Sequence, residues 1–249
     1  MSGWREIEVA GHKCDIYEPP VRNPHSYVVI YLHGVHLQRL AEQPPYEEQF
    51  ARFGLRVIAP WTGRCWWLDR LCPDFSDRWT PEQHLLQNIL PWIEKEWECR
   101  PPRIALLGTS MGGQGALRLA YKHPETFPVV AAVSPAIDFH IRWESDEILQ
   151  AMFEDPESAR QETALLYVHP LNWPRHQFFC CDPQDARWWD SADRLRMKLG
   201  SLGIPFTCDL DTSGGGHSFA YYNRMAQRVV EFLVESLEKE RLRLPLAGS

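Results

Sequence analysis

The segment running from Arg103 to Ala120 (Arg-Ile-Ala-Leu-Leu-Gly-Thr-Ser-Met-Gly-Gly-Gln-Gly-Ala-Leu-Arg-Leu-Ala) restricts the folds open to this chain more than any other stretch. Ile104-Ala105-Leu106-Leu107 is an apolar run of strand length. From Gly113 onward, Ala116, Leu117, Leu119 and Ala120 follow the period of a buried helix face. Between them Gly108, Ser110 and Gly112 match G-x-S-x-G, the spacing of a sharp strand-to-helix turn with a serine at its tip. Such a turn forces the serine into a strained backbone conformation, and glycines two positions away on each side remove the collisions that bulkier residues would make. The amino end of the helix then aims free N–H groups and positive dipole at the serine, where negative charge would develop.

Other segments repeat the strand-then-helix order. Glu6 to Tyr17 alternates as an antiparallel hairpin turning near Gly11, and Tyr27 to Leu32 is apolar throughout, as a central strand covered on both faces must be. A short helix is expected at Tyr46 to Phe53, a strand at Leu55 to Ala59 with a break at Pro60, and a helix over Pro81 to Trp97. That helix has Thr80 as N-cap and a kink at Pro91. Val129 to Val133 is the next buried strand. The pattern then loosens over Pro135 to Arg175, with helices expected near Ser145 to Phe153 and Pro156 to Leu166 and the region about 136–175 forming either a small cap or a long crossover. Strands at Gln177 to Cys181 and Phe206 to Leu210 and helices at Ser191 to Gly200 and Tyr221 to Lys239 complete the chain. The expected architecture is a single α/β domain over 1–249, with a doubly wound, mostly parallel sheet and an N-terminal antiparallel hairpin. Ligands should lie beyond the carboxyl ends of the strands.

A serine hydroxyl needs a base to become a nucleophile. Of the ten histidines, His217 is the candidate, because Ser213-Gly214-Gly215-Gly216-His217-Ser218 follows the last expected strand at the same sheet edge as Ser110. His33 and His36 fall where oxyanion contacts are expected, and His123, His140, His169 and His176 lie in helix ends or irregular segments. An acid must fix the tautomer of the base. Asp185, in the loop after the strand at Gln177 to Cys181, is the first candidate. Asp182, next to the strand and before Pro183, is the alternative, with Asp138 a more distant one. Oxyanion donors are expected from the backbone N–H of Met111, just after the serine, and of Val35 in Leu32-His33-Gly34-Val35-His36. The loop carrying Trp61, Arg64, Trp66, Trp67 and Arg70 shares that edge. Trp66, Trp67 and Arg64 are therefore the candidate substrate-binding residues, ahead of Trp188 and Trp189.

The order nucleophile, acid, histidine, with His33-Gly34 upstream, resembles the α/β-hydrolase superfamily over nearly the whole chain. Gly108-Thr109-Ser110-Met111-Gly112-Gly113-Gln114-Gly115-Ala116 is similar to the nucleophile segment of the esterase D group, which includes S-formylglutathione hydrolases, small carboxylesterases and mycolyl-transferase relatives. The resemblance implies two-step acyl transfer through an acyl-serine, with no cofactor. The Ser-Gly-Leu-Thr-Cys stretch of S-formylglutathione hydrolases is absent, and its place reads His33-Gly34-Val35-His36-Leu37, which counts against a glutathione thioester as substrate.

The expected activity is hydrolysis of small carboxylic esters. An acyltransferase, thioesterase or peptidase would use the same site, and an idle binding protein on this fold is the reading from another class. A formal net charge of −7 without a basic stretch disfavours nucleic acid and anionic membrane surfaces. No segment has the apolar length of a signal peptide or a membrane span, so a cytoplasmic location is expected. The seven cysteines are scattered and odd in number and should be reduced thiols, and no metal-ligand spacing occurs.

Overall fold

The computed structural model describes residues 3–243. Eight strands form one sheet in the order β1-β2-β4-β3-β5-β6-β7-β8. β1 (Gly3–Val9) and β2 (His12–Glu18) make the antiparallel hairpin, turning through Ala10 and Gly11, and β2 pairs antiparallel with β4 (Arg56–Pro60). From β4 onward every pairing is parallel, through β3 (Val28–Leu32), β5 (Ile104–Thr109), β6 (Val129–Val133), β7 (His176–Cys180) and β8 (Thr207–Asp209). Alternation along the strands divides the core. Val28, Ile30 and Leu32 of β3 join one apolar cluster, and Val29 and Tyr31 the other. The first cluster is completed by α3 (Leu90–Trp97), α4 (Met111–Lys122) and α8 (Trp189–Ser201). α1 (Pro44–Phe53) and α9 (Phe219–Arg243) cover the second.

Local chemistry explains the elements that frame the site. α2 (Pro81–His84) starts with a reciprocal cap: Thr80 Oγ1 accepts the N–H of Gln83 at 3.1 Å, and Gln83 Oε1 accepts that of Thr80 at 3.3 Å. The helix expected over Pro81 to Trp97 is continuous in direction but passes through a π-turn at Leu85–Ile89 before α3. Pro91, at the second position of α3, has no N–H to give to the preceding turn, and the wider spacing absorbs that loss. Pro60 ends β4 from within the strand, paired with Cys14, instead of standing outside it.

α4 is tied down along its length. Arg118, almost fully buried, donates to Glu82 at 2.6 Å and to Glu162, and its guanidinium lies 4.5 Å from the centre of the Tyr167 ring. Lys122 and His123 also reach Glu82, at 2.6 Å and 2.9 Å. Burial pushes the Glu82 carboxyl up, but the His123 and Lys122 hydrogen bonds and the Arg118 charge outweigh it and hold the group at about 2. The connection between β6 and β7 carries α5 (Glu147–Met152), α6 (Pro156–Arg160) and α7 (Ala164–Tyr167), each shorter than the helices expected there. Gln114 Oε1 of α4 accepts the Ala164 N–H at 2.7 Å at the start of α7.

Among the described residues no helix is long and apolar enough to cross a membrane.

Candidate active site

The backbone between β5 and α4 bends through Ser110 at φ 55° and ψ −118°, a conformation that costs a residue with a side chain about 1–3 kcal/mol. Neighbouring segments hold it there. The Ser110 N–H donates to Val133 O at 2.9 Å, and Ser110 O accepts from Gln114 and Ala136. The flanking glycines are required by contact: a Cβ on Gly108 would lie 2.0 Å from Gly112 O, and one on Gly112 would lie 1.8 Å from Leu32 O.

β3 lies beside β5 with Leu32 opposite Gly108, so the turn after β3 comes alongside the serine. A Cβ on Gly34 would stand 3.2 Å from the Cβ of Ser110. His33 is nearly buried; its Nδ1 donates to Gly34 O at 2.9 Å and its Nε2 accepts the Thr62 N–H at 3.2 Å. Burial drives its pKa down to about 4, slightly offset by the Gly34 bond, so the ring is neutral with the proton on Nδ1. Gly34 C=O and Val35 N–H belong to one trans peptide and point in opposite directions. By holding the carbonyl, His33 turns the Val35 N–H away from its own ring. Val35 lines a cleft of about 330 Å³ together with Gly34, His36, Gln38, Ser110, His217 and Tyr222. The Met111 N–H, at the first position of α4, has no acceptor within the helix.

Ser110 Oγ lies 2.8 Å from His217 Nε2, and His217 Nδ1 lies 2.6 Å from Asp185 Oδ2. Asp185 is buried after β7. Its Oδ1 accepts the N–H groups of Arg187 and Trp188 at 3.3 Å and 3.2 Å, and its Oδ2 faces the imidazole and accepts from the Cys181 thiol at 3.6 Å. Asp182 does not touch His217. It is 0% exposed, and its carboxylate accepts the N–H groups of Gln184 at 2.7 Å, Gly214 at 2.6 Å and Gly216 at 2.8 Å. Those bonds outweigh burial and keep its pKa below the usual range. Asp182 thus spans two loops, fastening the glycine run that carries His217 to the loop that carries Asp185. Gly215 and Gly216 adopt φ of 111° and 66°, which the glycines supply at low cost. Asp138, the third acid considered, pairs with Arg194.

The candidate substrate-binding residues are placed otherwise. Trp66 and Trp67 are 1% and 0% exposed and belong to the core, not to the cleft wall. Both have positive φ, of 53° and 56°, which turns the loop inward. The Trp66 ring stacks on Phe139 at 4.8 Å, and the Trp66 N–H donates to Met111 Sδ at 3.3 Å. Trp67 Nε1 donates to His33 O at 3.1 Å, and its Cβ fills the space left by Gly115, where an added Cβ would approach to 2.3 Å. The pair therefore supports the serine turn and the turn after β3 from beneath. Arg64 is at the surface beside Val35 and His36, but its guanidinium is committed to Asp74 at 2.8 Å and Glu147 at 3.3 Å. Trp188 is buried with its ring 6.3 Å from that of His217, and Trp189 Nε1 donates to Leu210 O.

Sequence reasoning missed Tyr222, whose ring meets His217 edge-on at 5.7 Å and lines the cleft. Its position in α9, five residues after the histidine, carries no motif that sets it apart from Tyr221.

The Esterase family model, described as "Putative esterase", matches residues 70–200, more than half of the chain. No curated protein matches by sequence. Solved structures similar to this chain include an S-formylglutathione hydrolase from Agrobacterium tumefaciens, at 18% identity and a TM-score of 0.73, covering 94% of both chains. A ferulic acid esterase is similar at 17% identity and a TM-score of 0.74, covering 94% of this chain and 99% of its own. A fluorophosphonate-binding serine hydrolase of Staphylococcus aureus is similar at 14% identity and a TM-score of 0.70, with 94% and 99% covered. The strand order, the antiparallel hairpin and the placement of helices on both faces are those of the α/β-hydrolase fold, and the chain belongs to the Esterase family.

Proposed function

We propose that this protein hydrolyses small carboxylic esters through an acyl-Ser110 intermediate. The observation that supports this best is the unbroken hydrogen-bonded line from Ser110 Oγ through the His217 ring to Asp185 Oδ2, at 2.8 Å and 2.6 Å, opening on a cleft. His217 Nε2 takes the hydroxyl proton as Ser110 Oγ attacks the ester carbonyl, and Asp185 accepts the Nδ1–H bond and steadies the imidazolium. The carbonyl oxygen becomes an oxyanion facing the Val35 and Met111 amides, whose orientation precedes the reaction and so costs nothing during it. Collapse breaks the bond to the alcohol oxygen, which leaves with the proton from His217. A water then gives its proton to His217, attacks the acyl carbon, and releases the acid and free Ser110.

The test is labelling by a fluorophosphonate probe together with turnover of p-nitrophenyl acetate, for wild type and Ser110→Ala. Labelling and turnover that both vanish in Ser110→Ala are the expected result. A folded wild type that neither labels nor turns over ester defeats the proposal.

A further inference from the structure

Two arginines line the spaces that adjoin the cleft and have no ion-pair partner among the described residues, although the cations near them are engaged. Arg64 holds Asp74 and Glu147, Arg194 holds Asp138, and Arg70 faces Glu162. Arg142 lines an open cavity with Val35, His36, Arg64, Asp146 and Glu147, and its buried Nε has no hydrogen-bond partner. Arg187, itself exposed, lines a shallower one with His36, Ile141, Gln184, Asp185 and His217. His36 is common to both cavities and to the cleft that holds Ser110, so the three spaces meet around its side chain.

The carboxylates of this wall are occupied. Asp146 Oδ1 accepts the Ile148 and Leu149 N–H groups at 3.0 Å and 3.3 Å as the cap of α5, and Glu147 faces Arg64. The geometry of proton transfer gives the wall a direction. His217 must deliver its proton to the leaving oxygen, so the group on that oxygen departs on the His217 side, and His217 itself lines the open space that Arg187, Ile141 and His36 border. A guanidinium presents its donors as a planar fork that matches a carboxylate, and one whose Nε is already stripped of water gains more from such a partner than an exposed one. In a chain with a net charge of −7, two uncommitted arginines at the mouth of a cleft are where an anion would be drawn.

Resting on the esterase reading above, we infer that the substrate carries a carboxylate on its alcohol portion, held by Arg142 and Arg187 beside His36. The probes are 4-acetoxybenzoate and its neutral partner 4-acetoxybenzamide, compared by kcat/KM for wild type, Arg142→Gln, Arg187→Gln and the double variant. A second pair, p-nitrophenyl hemiglutarate and p-nitrophenyl valerate, puts the carboxylate on the acyl side. The ratio within each pair cancels any general loss of active enzyme. Wild type should favour 4-acetoxybenzoate by about tenfold or more. The preference should shrink in each variant, disappear in the double variant and weaken with added salt. A preference for the benzamide, a ratio unchanged in the double variant, or a carboxylate preference confined to the acyl-side pair each overturns the inference while leaving the esterase reading intact. No turnover of any ester and no fluorophosphonate labelling of wild type overturns both.

Discussion

The carboxylate of Asp182 accepts the N–H of Gly216 at 2.8 Å, one residue before His217. The bond lies on the backbone of the histidine loop and not on the imidazole, so the two acids of the loop after β7 do different work. Asp182→Asn leaves one acceptor oxygen where two now serve Gln184, Gly214 and Gly216, so an NH₂ group must face at least one of those N–H groups. We expect kcat/KM for p-nitrophenyl acetate to fall about 10- to 100-fold as the histidine becomes less well placed. Asp185→Asn, which forces the wrong tautomer on the base, should cost about 10⁴-fold. Equal losses in the two variants would count against this division.

His33 holds the peptide plane between Gly34 and Val35, and in the proposed mechanism that plane carries one oxyanion donor. His33→Ala frees the Gly34 carbonyl and lets the Val35 N–H rotate, so kcat should drop by about 10²-fold, the worth of one oxyanion donor, with KM little changed. A loss confined to KM would place His33 in substrate binding instead.

Gly112→Ala tests the fit between α4 and the turn after β3. With Leu32 O 1.8 Å from the added Cβ, backbone must move, and the melting temperature should fall sharply or the chain fail to fold. Gly200→Ala, where an added Cβ meets nothing within 4 Å, is the matched control and should leave melting nearly unchanged.

Acid should weaken the fold before the carboxylates titrate. Burial lowers the pKa of both His33 and His84 to about 4, with the charge of His12 adding to the effect at His84. The unfolded chain then binds protons that the folded one refuses, so stability present above about pH 6.5 is lost as pH falls toward 4. Glu82, held at about 2, adds a loss that begins below its unfolded value of 4.5. Denaturant titrations of wild type and His84→Leu across pH 7 to 4 should show the shallower slope in the variant. Parallel slopes would mean that His84 is not neutral in the fold.

The residues of the proposed triad were legible because each sits where a strand ends, and strand ends can be read from apolar runs. Ser110 follows Thr109, Asp185 follows Cys180 through a short loop, and His217 lies between β8 and α9. Loop position ranked Asp185 ahead of Asp182, but the part Asp182 plays was hidden, since it depends on which atoms cross between two loops. The tryptophans show the opposite limit. An aromatic loop at the right edge reads as a pocket wall, yet two consecutive positive-φ residues turn Trp66 and Trp67 inward, and tryptophan gives no local signal for that conformation. The small residue that receives Trp67, Gly115, lies in a different element, so the match is visible only after α4 and the loop are brought together.

Arg118 lies near the middle of α4, joined to Glu82 on one side and to Glu162 on the other. Glu162 belongs to the same crossover that supplies Ile141 and Arg142 to the rim of the site. The helix that follows Ser110 and the segment that borders the neighbouring spaces therefore share one anchor. Variation in the crossover is consequently not free to tune specificity alone, because a change that loosens its grip on Arg118 also slackens the helix behind Ser110.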